Sequence, residues 1–215
     1  MGQAGNLRRM AAHSRMNGLE CRAVPDLVTG DDGRARCAWG GSALDYVAYH
    51  DEEWGRPLHG DDAMYERVVL EGFQAGLSWL TILRKREAFR TAYGGFHIAQ
   101  VARFTDQDVE RLLGNAGIVR SRAKIEASIR NARVALDLPE GLDAFVWKFA
   151  PEPRKKRLRV MADVPAITAE STAMAKALRK HGFTFIGPTG AYALMQATGM
   201  VDDHLEGCHR ATSAH

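Results

Sequence analysis

At 215 residues, with 46% hydrophobic and 26% charged residues, the chain has the composition of a globular protein of one large domain or two small ones, long enough to bury a sizeable core. Its 29 lysines and arginines nearly balance 26 aspartates and glutamates, leaving a net charge of +3, so a polyanionic partner is permitted without being demanded. No apolar run approaches the roughly 20 residues that span a bilayer, and Arg8 and Arg9 precede no apolar signal core, so a cytoplasmic protein with no membrane partner is expected.

Three cysteines, Cys21, Cys37 and Cys208, are an odd number set far apart, which argues against a disulfide framework and leaves metal binding or plain thiols. Residues 1–33 are rich in Gly, Ser, Asn, Asp and Arg with little periodicity and end in TGDDG. They read as a disordered extension that includes Cys21. The folded domain is then expected over 34–210, with a short tail at 211–215. Its first stretch gathers Cys37, Trp39, Tyr46, Tyr49, His50 and Trp54, a dense set of aromatics and ligand-type side chains.

From Asp61 onward the apolar spacing is helical almost throughout. A helix from about Asp62, with Asp61 or Asp62 as its cap, puts Tyr65, Val68, Val69, Gly72 and Phe73 on one face and Glu71 on that face's flank. A half-buried carboxylate needs a hydrogen-bonding partner, a cation or a raised pKa; it is either a structural acid or a functional one. A second helix is expected from about Ser78 to the Gly94-Gly95 stop, a short one near Ile98 to Arg103, and another opened by the Thr105 to Asp108 capping box. After the turn Asn115 to Val119, Ser121 starts a basic amphipathic helix that stops before Pro139. The glycine-bearing turn allows two readings, an ordinary helical hairpin or a phosphate grip at which Gly117 offers backbone N–H and Arg120, Arg122 and Lys124 add charge.

Phe145 to Phe149 reads as a short core helix. The stretch PEPRKKRLRV, with Arg154, Lys155, Lys156, Arg157 and Arg159 behind two prolines, reads as an exposed loop, with contact to a phosphate backbone as the sharper alternative. A helix over STAMAKALRKH follows. His204 and Cys208 then stand four apart, which on one helical turn would let them share a metal ion. Cys37 and His50 are the pair that completes a Cys2His2 set suited to closed, tetrahedral, structural zinc. The spacing matches no common zinc-finger pattern, and two buried thiols beside two ordinary histidines is the competing reading.

Six motifs carry a resemblance: CAWG, Y-x2-YHDEEWG, LEGFQAGLSW, NAGIVRSRAKI, GFTFIGPT and MQATGMVDDHLEGC. Between Cys37 and Cys208 the chain resembles the bacterial 3-methyladenine DNA glycosylase I family. That resemblance implies an all-α, helix-hairpin-helix glycosylase fold in which structural zinc, on Cys37, His50, His204 and Cys208, joins the two ends of the domain. It implies base binding by Glu71, Tyr49 and Trp79, with Trp39, Tyr46 and Trp54 lining the same region and Glu71 as the catalytic-site acid. The loop with Gln74, Gly76 and Leu77 would enter the duplex, and the Asn115 to Ser121 turn would hold its backbone.

The implied activity is hydrolytic release of 3-methyladenine from alkylated double-stranded DNA, leaving an abasic site and free base; a monomer is the default expectation for an enzyme that must wrap DNA. No pocket-motif lysine is placed for strand cleavage through a Schiff base, and no water-activating aspartate is supplied. Ala193 stands where a small hydroxyl residue is expected, Phe73 where a polar one can occur, and the tail CHRATSAH lacks further cysteines. The competing class is a damage-binding protein of the same fold that does not cut; a zinc-stabilised helical interaction protein is a third.

Overall fold

The computed structural model describes residues 26–211. Its first element is a β-hairpin, β1 (Leu27–Thr29) and β2 (Ala35–Cys37), antiparallel with Leu27 opposite Cys37. This corrects the boundary expected at residue 33. The Asp- and Gly-rich stretch is the hairpin's turn: Gly33 takes φ +74°, and the Asp32 carboxylate receives the buried Arg36 guanidinium at 2.5 Å. Turn chemistry and disorder share a composition, which is why the sequence misled. Cys21, the rest of the expected extension and residues 212–215 lie outside the described residues.

Nine α-helices follow among the described residues: α1 (Leu44–Glu52), α2 (Asp61–Gln74), α3 (Trp79–Ala92), α4 (Ile98–Val101), α5 (Asp106–Gly114), α6 (Arg122–Leu136), α7 (Leu142–Trp147), α8 (Ala169–His181) and α9 (Pro188–Ala197). The fold is thus mostly helical, with the hairpin as the described sheet. No helix among the described residues is long and apolar enough to cross a membrane.

Helix α2 is the hub, packed against α3, α4, α6, α7 and α9. Met64, Tyr65, Val68, Val69, Leu70 and Phe73 are all within 3% of complete burial. Fully burying each such side chain is worth about 1.5–3 kcal/mol, so this one helix organises much of the core. Helices surround it on several sides, and Arg67 and Glu71 are carried into the interior with its apolar face.

The start of α2 differs from the expected cap. Gly60 is the N-cap, with no side-chain bond, and the two aspartates serve other helices. Asp62 accepts from the Ile98 amide at the start of α4 (2.8 Å), and Asp61 from the Asp143 amide in the first turn of α7 (2.8 Å). Each carboxylate satisfies an N–H that its helix leaves orphaned, so the hub also fixes its neighbours' directions. Ser78 caps α3 through the Thr81 amide (3.2 Å), and Thr105 and Asp108 form the expected capping box on α5.

Helices α5 and α6 are joined by a tight turn in which the Asn115 side chain accepts from the Gly117 amide at 2.8 Å and Ile118 plugs the core. Lys85 of α3 donates to the carbonyls of Ala116 and Gly117, each at 3.1 Å, and pins the turn. Helices α1 and α9 have no counterpart among the expected elements. In α9 Pro188 occupies the first helical position, where its missing N–H is harmless. After α9 the chain is irregular, so His204 and Cys208 do not share a helical turn as expected.

Candidate active site and Cys/His centre

A cavity of about 430 Å³ opens among seven parts of the chain. Trp39 enters from the link after β2, Tyr46 and Tyr49 from one face of α1, and Trp54 from just beyond it. Glu71 and Gln74, three apart on α2, form another wall, and Trp79 comes from the first position of α3. All six expected base-binding residues therefore line one space. Sequence reasoning missed two contributors: Thr189, Tyr192 and Gln196 on α9, at helical spacing beside Ala193, and Met161, Val164, Pro165 and Ala166 from the loop before α8. The α9 set had a detectable signal in its spacing of three, four and seven residues. The loop residues had none.

Aromatic edges build the walls. Trp39 meets Tyr46 at 5.6 Å and Trp54 at 4.9 Å between centroids, and Tyr49 meets Trp79 at 5.4 Å. The Tyr46 hydroxyl accepts from the Leu80 amide at 3.0 Å, which ties α1 to the start of α3. The Tyr49 hydroxyl makes no hydrogen bond among the described residues; burial pushes its pKa up, with Arg67, 6.0 Å from the ring centroid, pulling the other way. The Trp79 indole N–H is buried without a hydrogen-bond partner among the described residues.

Glu71 is 8% exposed and its carboxyl makes no hydrogen bond among the described residues. Desolvation pushes its pKa up to about 8, opposed by the charge of Arg67 one turn earlier on α2. Arg67 is itself held by Glu53 at 2.5 Å, and Glu53 also grips Arg86 at 2.6 and 2.7 Å. An acid so placed is ready to ionise against a cation that enters the cavity.

At the mouth, Gln74 to Leu77 make a turn closed by the Leu77 amide on the Gln74 carbonyl (2.6 Å), with Gly76 at φ +81° and Leu77 left 41% exposed. A large apolar side chain held out at a cavity rim is suited to filling a space in a partner. Gly117 and the exposed Arg120 stand on the α5–α6 turn. Arg122 is exposed but already paired with Glu110 and Glu126. The ammonium of Lys124, expected at a phosphate backbone, donates here to the carbonyls of Phe73 (2.9 Å) and Ala75 (2.7 Å), capping α2 and bracing the Gln74–Leu77 turn. The basic loop after α7 is similarly engaged, with Arg154 on Asp203, Arg157 on Asp202 and Arg159 on Glu206, while Lys155 and Lys156 face solvent.

Behind Trp39 and Trp54 lies the second centre. Cys37, His50 and Cys208 are buried with their ligand atoms within 4.8 Å of one another. The Cys208 sulfur is 3.5 Å from His50 Nε2, and the His204 ring lies 4.8 Å from the His50 ring. Each histidine turns its Nδ1 to a carboxylate, His50 to Asp51 and His204 to Asp202, both at 2.8 Å. The Leu205 amide points at Cys37 sulfur and the Arg210 amide at Cys208 sulfur, each at 3.4 Å. His204 Nε2 is buried and has no partner among the described residues. Cys37, His50 and Cys208 thus form a thiol and imidazole cluster of a kind that could hold a metal ion, with His204 beside it and Asp51 and Asp202 orienting the two rings.

The family model described as Methyladenine glycosylase matches residues 39–211, which include the cavity residues and three of the four Cys/His side chains. The chain belongs to the methyladenine glycosylase family. It is 42% identical over 182 residues to the DNA-3-methyladenine glycosylase of Haemophilus influenzae, covering 83% of this chain and 98% of that one. With DNA-3-methyladenine glycosylase 1 of Escherichia coli it shares 44% over 177 residues, 80% of this chain and 95% of the relative. A solved tyrosine-to-phenylalanine variant of 3-methyladenine DNA glycosylase I in complex with 3-methyladenine superposes with a TM-score of 0.79 at 33% identity, over 84% of this chain and 99% of that one.

Proposed function

We propose that this protein is a monofunctional DNA-3-methyladenine glycosylase, cytoplasmic and monomeric, which flips the lesion out of duplex DNA and hydrolyses its N-glycosidic bond to leave an abasic site. The observation that carries this reading is Glu71: a buried carboxyl with no hydrogen-bond partner among the described residues, in a cavity of aromatic walls. Relatives named for this activity, one of them solved with the base bound, support it.

Methylation at N3 leaves adenine cationic while it is still attached to the sugar. A cation entering the cavity stabilises ionised Glu71 and displaces the proton that desolvation otherwise keeps there. Neutral adenine gives no such return, so the pocket selects by charge as well as by shape. Trp79 and Tyr49 supply π faces, worth about 0.5–2 kcal/mol against a cation. When the bond from C1′ to the base breaks, its electron pair goes to the base and neutralises it, and the sugar takes up the positive charge. Water then adds at C1′ and gives up a proton. Because the lesion already leaves well, Glu71 acts as reader and electrostatic partner rather than as a proton donor.

The helix-hairpin-helix grip is assigned to the α5–α6 turn, with Gly117 offering its backbone and Arg120 its charge, while Leu77 on the Gln74–Gly76 turn occupies the place the base has left. The Cys37, His50, His204 and Cys208 centre is assigned to structural zinc, which when bound cross-links the hairpin and α1 to the C-terminal segment. Incubating methylated DNA with the enzyme and measuring free base by chromatography tests the activity. Release of 3-methyladenine no faster than in buffer, with DNA binding intact, would leave a damage-binding protein instead.

A further inference from the structure

We infer that Gln196 is a second base-reading residue, its acceptor oriented by the buried Asp203, and that it favours a purine with a 6-amino group over one with a 6-keto group. The inference rests on the assignment of the cavity as the base pocket. The Asp203 side chain is fully buried. Its Oδ2 accepts from the Tyr192 hydroxyl at 2.5 Å and from Gln196 Nε2 at 3.0 Å, and its Oδ1 from Arg154 Nε at 3.2 Å. A buried carboxylate is costly unless satisfied in this way, and satisfied it becomes a rigid template for the groups that satisfy it.

The two α9 side chains it holds are left in different states. Tyr192 donates to Asp203 and accepts from Arg154 at 3.0 Å, so its hydroxyl is used and it offers the cavity a ring. Gln196 has committed only an amide hydrogen. A carboxylate accepts and cannot donate, so the NH2 end of the amide must face Asp203, and Oε1 is fixed as the free end of a side chain that lines the cavity. Among the described residues Oε1 has no hydrogen-bond partner. Gln74 and Thr189 also line the cavity, but their side chains make no hydrogen bond among the described residues and can turn to suit a donor or an acceptor. Gln196 cannot. A 6-amino purine meets it with a donor; a 6-keto purine sets two acceptors against each other, and a site built for a hydrogen bond rejects such an analogue more strongly than an apolar wall does.

The test uses DNA that carries both 3-methyladenine and 3-methylguanine and follows the release of each. Wild type should prefer 3-methyladenine, and Gln196→Met should lower that preference about tenfold or more, the effect of one hydrogen bond involving a charged partner. Asp203→Asn, whose amide can donate, lets Gln196 turn its NH2 toward the cavity and should move the ratio further toward the keto base. An unchanged ratio, or an equal fall in release of both bases, overturns the inference and leaves the pair a structural role. If Asp203→Asn does not fold, Gln196→Met decides alone. Wild type that releases neither base removes the glycosylase reading itself, whereas activity with an unmoved ratio removes only the role of Gln196.

Discussion

Trp39 and Trp54 are shared between two buried polar centres that have been completed in opposite ways. On one side, Cys37, His50 and Cys208 gather their sulfur and Nε2 atoms with the His204 ring beside them, and the flanking groups are fixed: Asp51 and Asp202 on the Nδ1 atoms, backbone amides on the sulfurs. On the other, Glu71 and the Trp79 indole have no partner among the described residues, and the space in front of them is open. The first is closed around its own donors and suits something permanent. The second is held unsatisfied and suits something that comes and goes. Unpaired buried polarity is therefore not one signal but two, told apart by whether an outer shell locks the donors.

Removing a ligand from the closed centre should have the largest effect. Cys37→Ala and Cys208→Ala are expected to lose zinc by elemental analysis and to melt at least about 10 °C lower, since structural zinc can contribute on the order of 10 kcal/mol to folding. Full occupancy in both variants would break the contrast at its root. The open centre should respond in the other direction. Glu71 has an ordinary value of 4.5 and sits at about 8 in the fold, so between those values the folded state holds a proton that the unfolded chain has lost. Stability then falls as pH rises through that window, and above pH 8 the full cost of burying the charge remains, about 4–5 kcal/mol as an upper bound. Glu71→Gln should accordingly be more stable than wild type at pH 9 and no more stable at pH 4, by denaturant melts, while releasing 3-methyladenine about 10- to 100-fold more slowly. A variant destabilised at pH 9 would mean that Glu71 has a partner in the fold. Trp79→Ala should weaken base capture by about 3- to 30-fold, the range of a cation and π contact, without altering metal content.

Much of this contrast was legible in the residues, and unevenly so. The capping box at Thr105 and Asp108, the start of a helix at about Ser78 and the spacing in α2 are local signals, and local signals survive folding. Glu71 could be placed on the flank of an apolar face, but its burial depends on helices packing around α2 on several sides, which no one-face pattern reveals. The four metal-type residues could be picked out by chemistry. The clustering of Cys37, His50 and Cys208 could not be obtained from helical spacing, because the segment after α9 that carries His204 and Cys208 is irregular. The turn at Asp31 to Gly33 was indistinguishable from disorder by composition, and α9 was hidden behind a proline that opens the helix rather than breaking it.

The smallest effect separates the two lysine and arginine positions that sequence reading grouped together. Arg120 is exposed on the α5–α6 turn and makes no ion pair or side-chain hydrogen bond among the described residues, whereas Lys124 has its ammonium on the carbonyls of Phe73 and Ala75. If Arg120 meets a phosphate, Arg120→Ala should weaken binding to undamaged and damaged duplex alike and reduce the slope of log K against log salt by about 1, with melting unchanged. Lys124→Met should do the reverse. It removes the cap of α2 and frees the turn that carries Leu77, so it should lower stability by about 1 kcal/mol and slow base release while leaving the salt slope where it was. A salt slope that moves in Lys124→Met and not in Arg120→Ala would exchange the two assignments and put the phosphate contact at the mouth turn, beside the open centre, instead of on the hairpin.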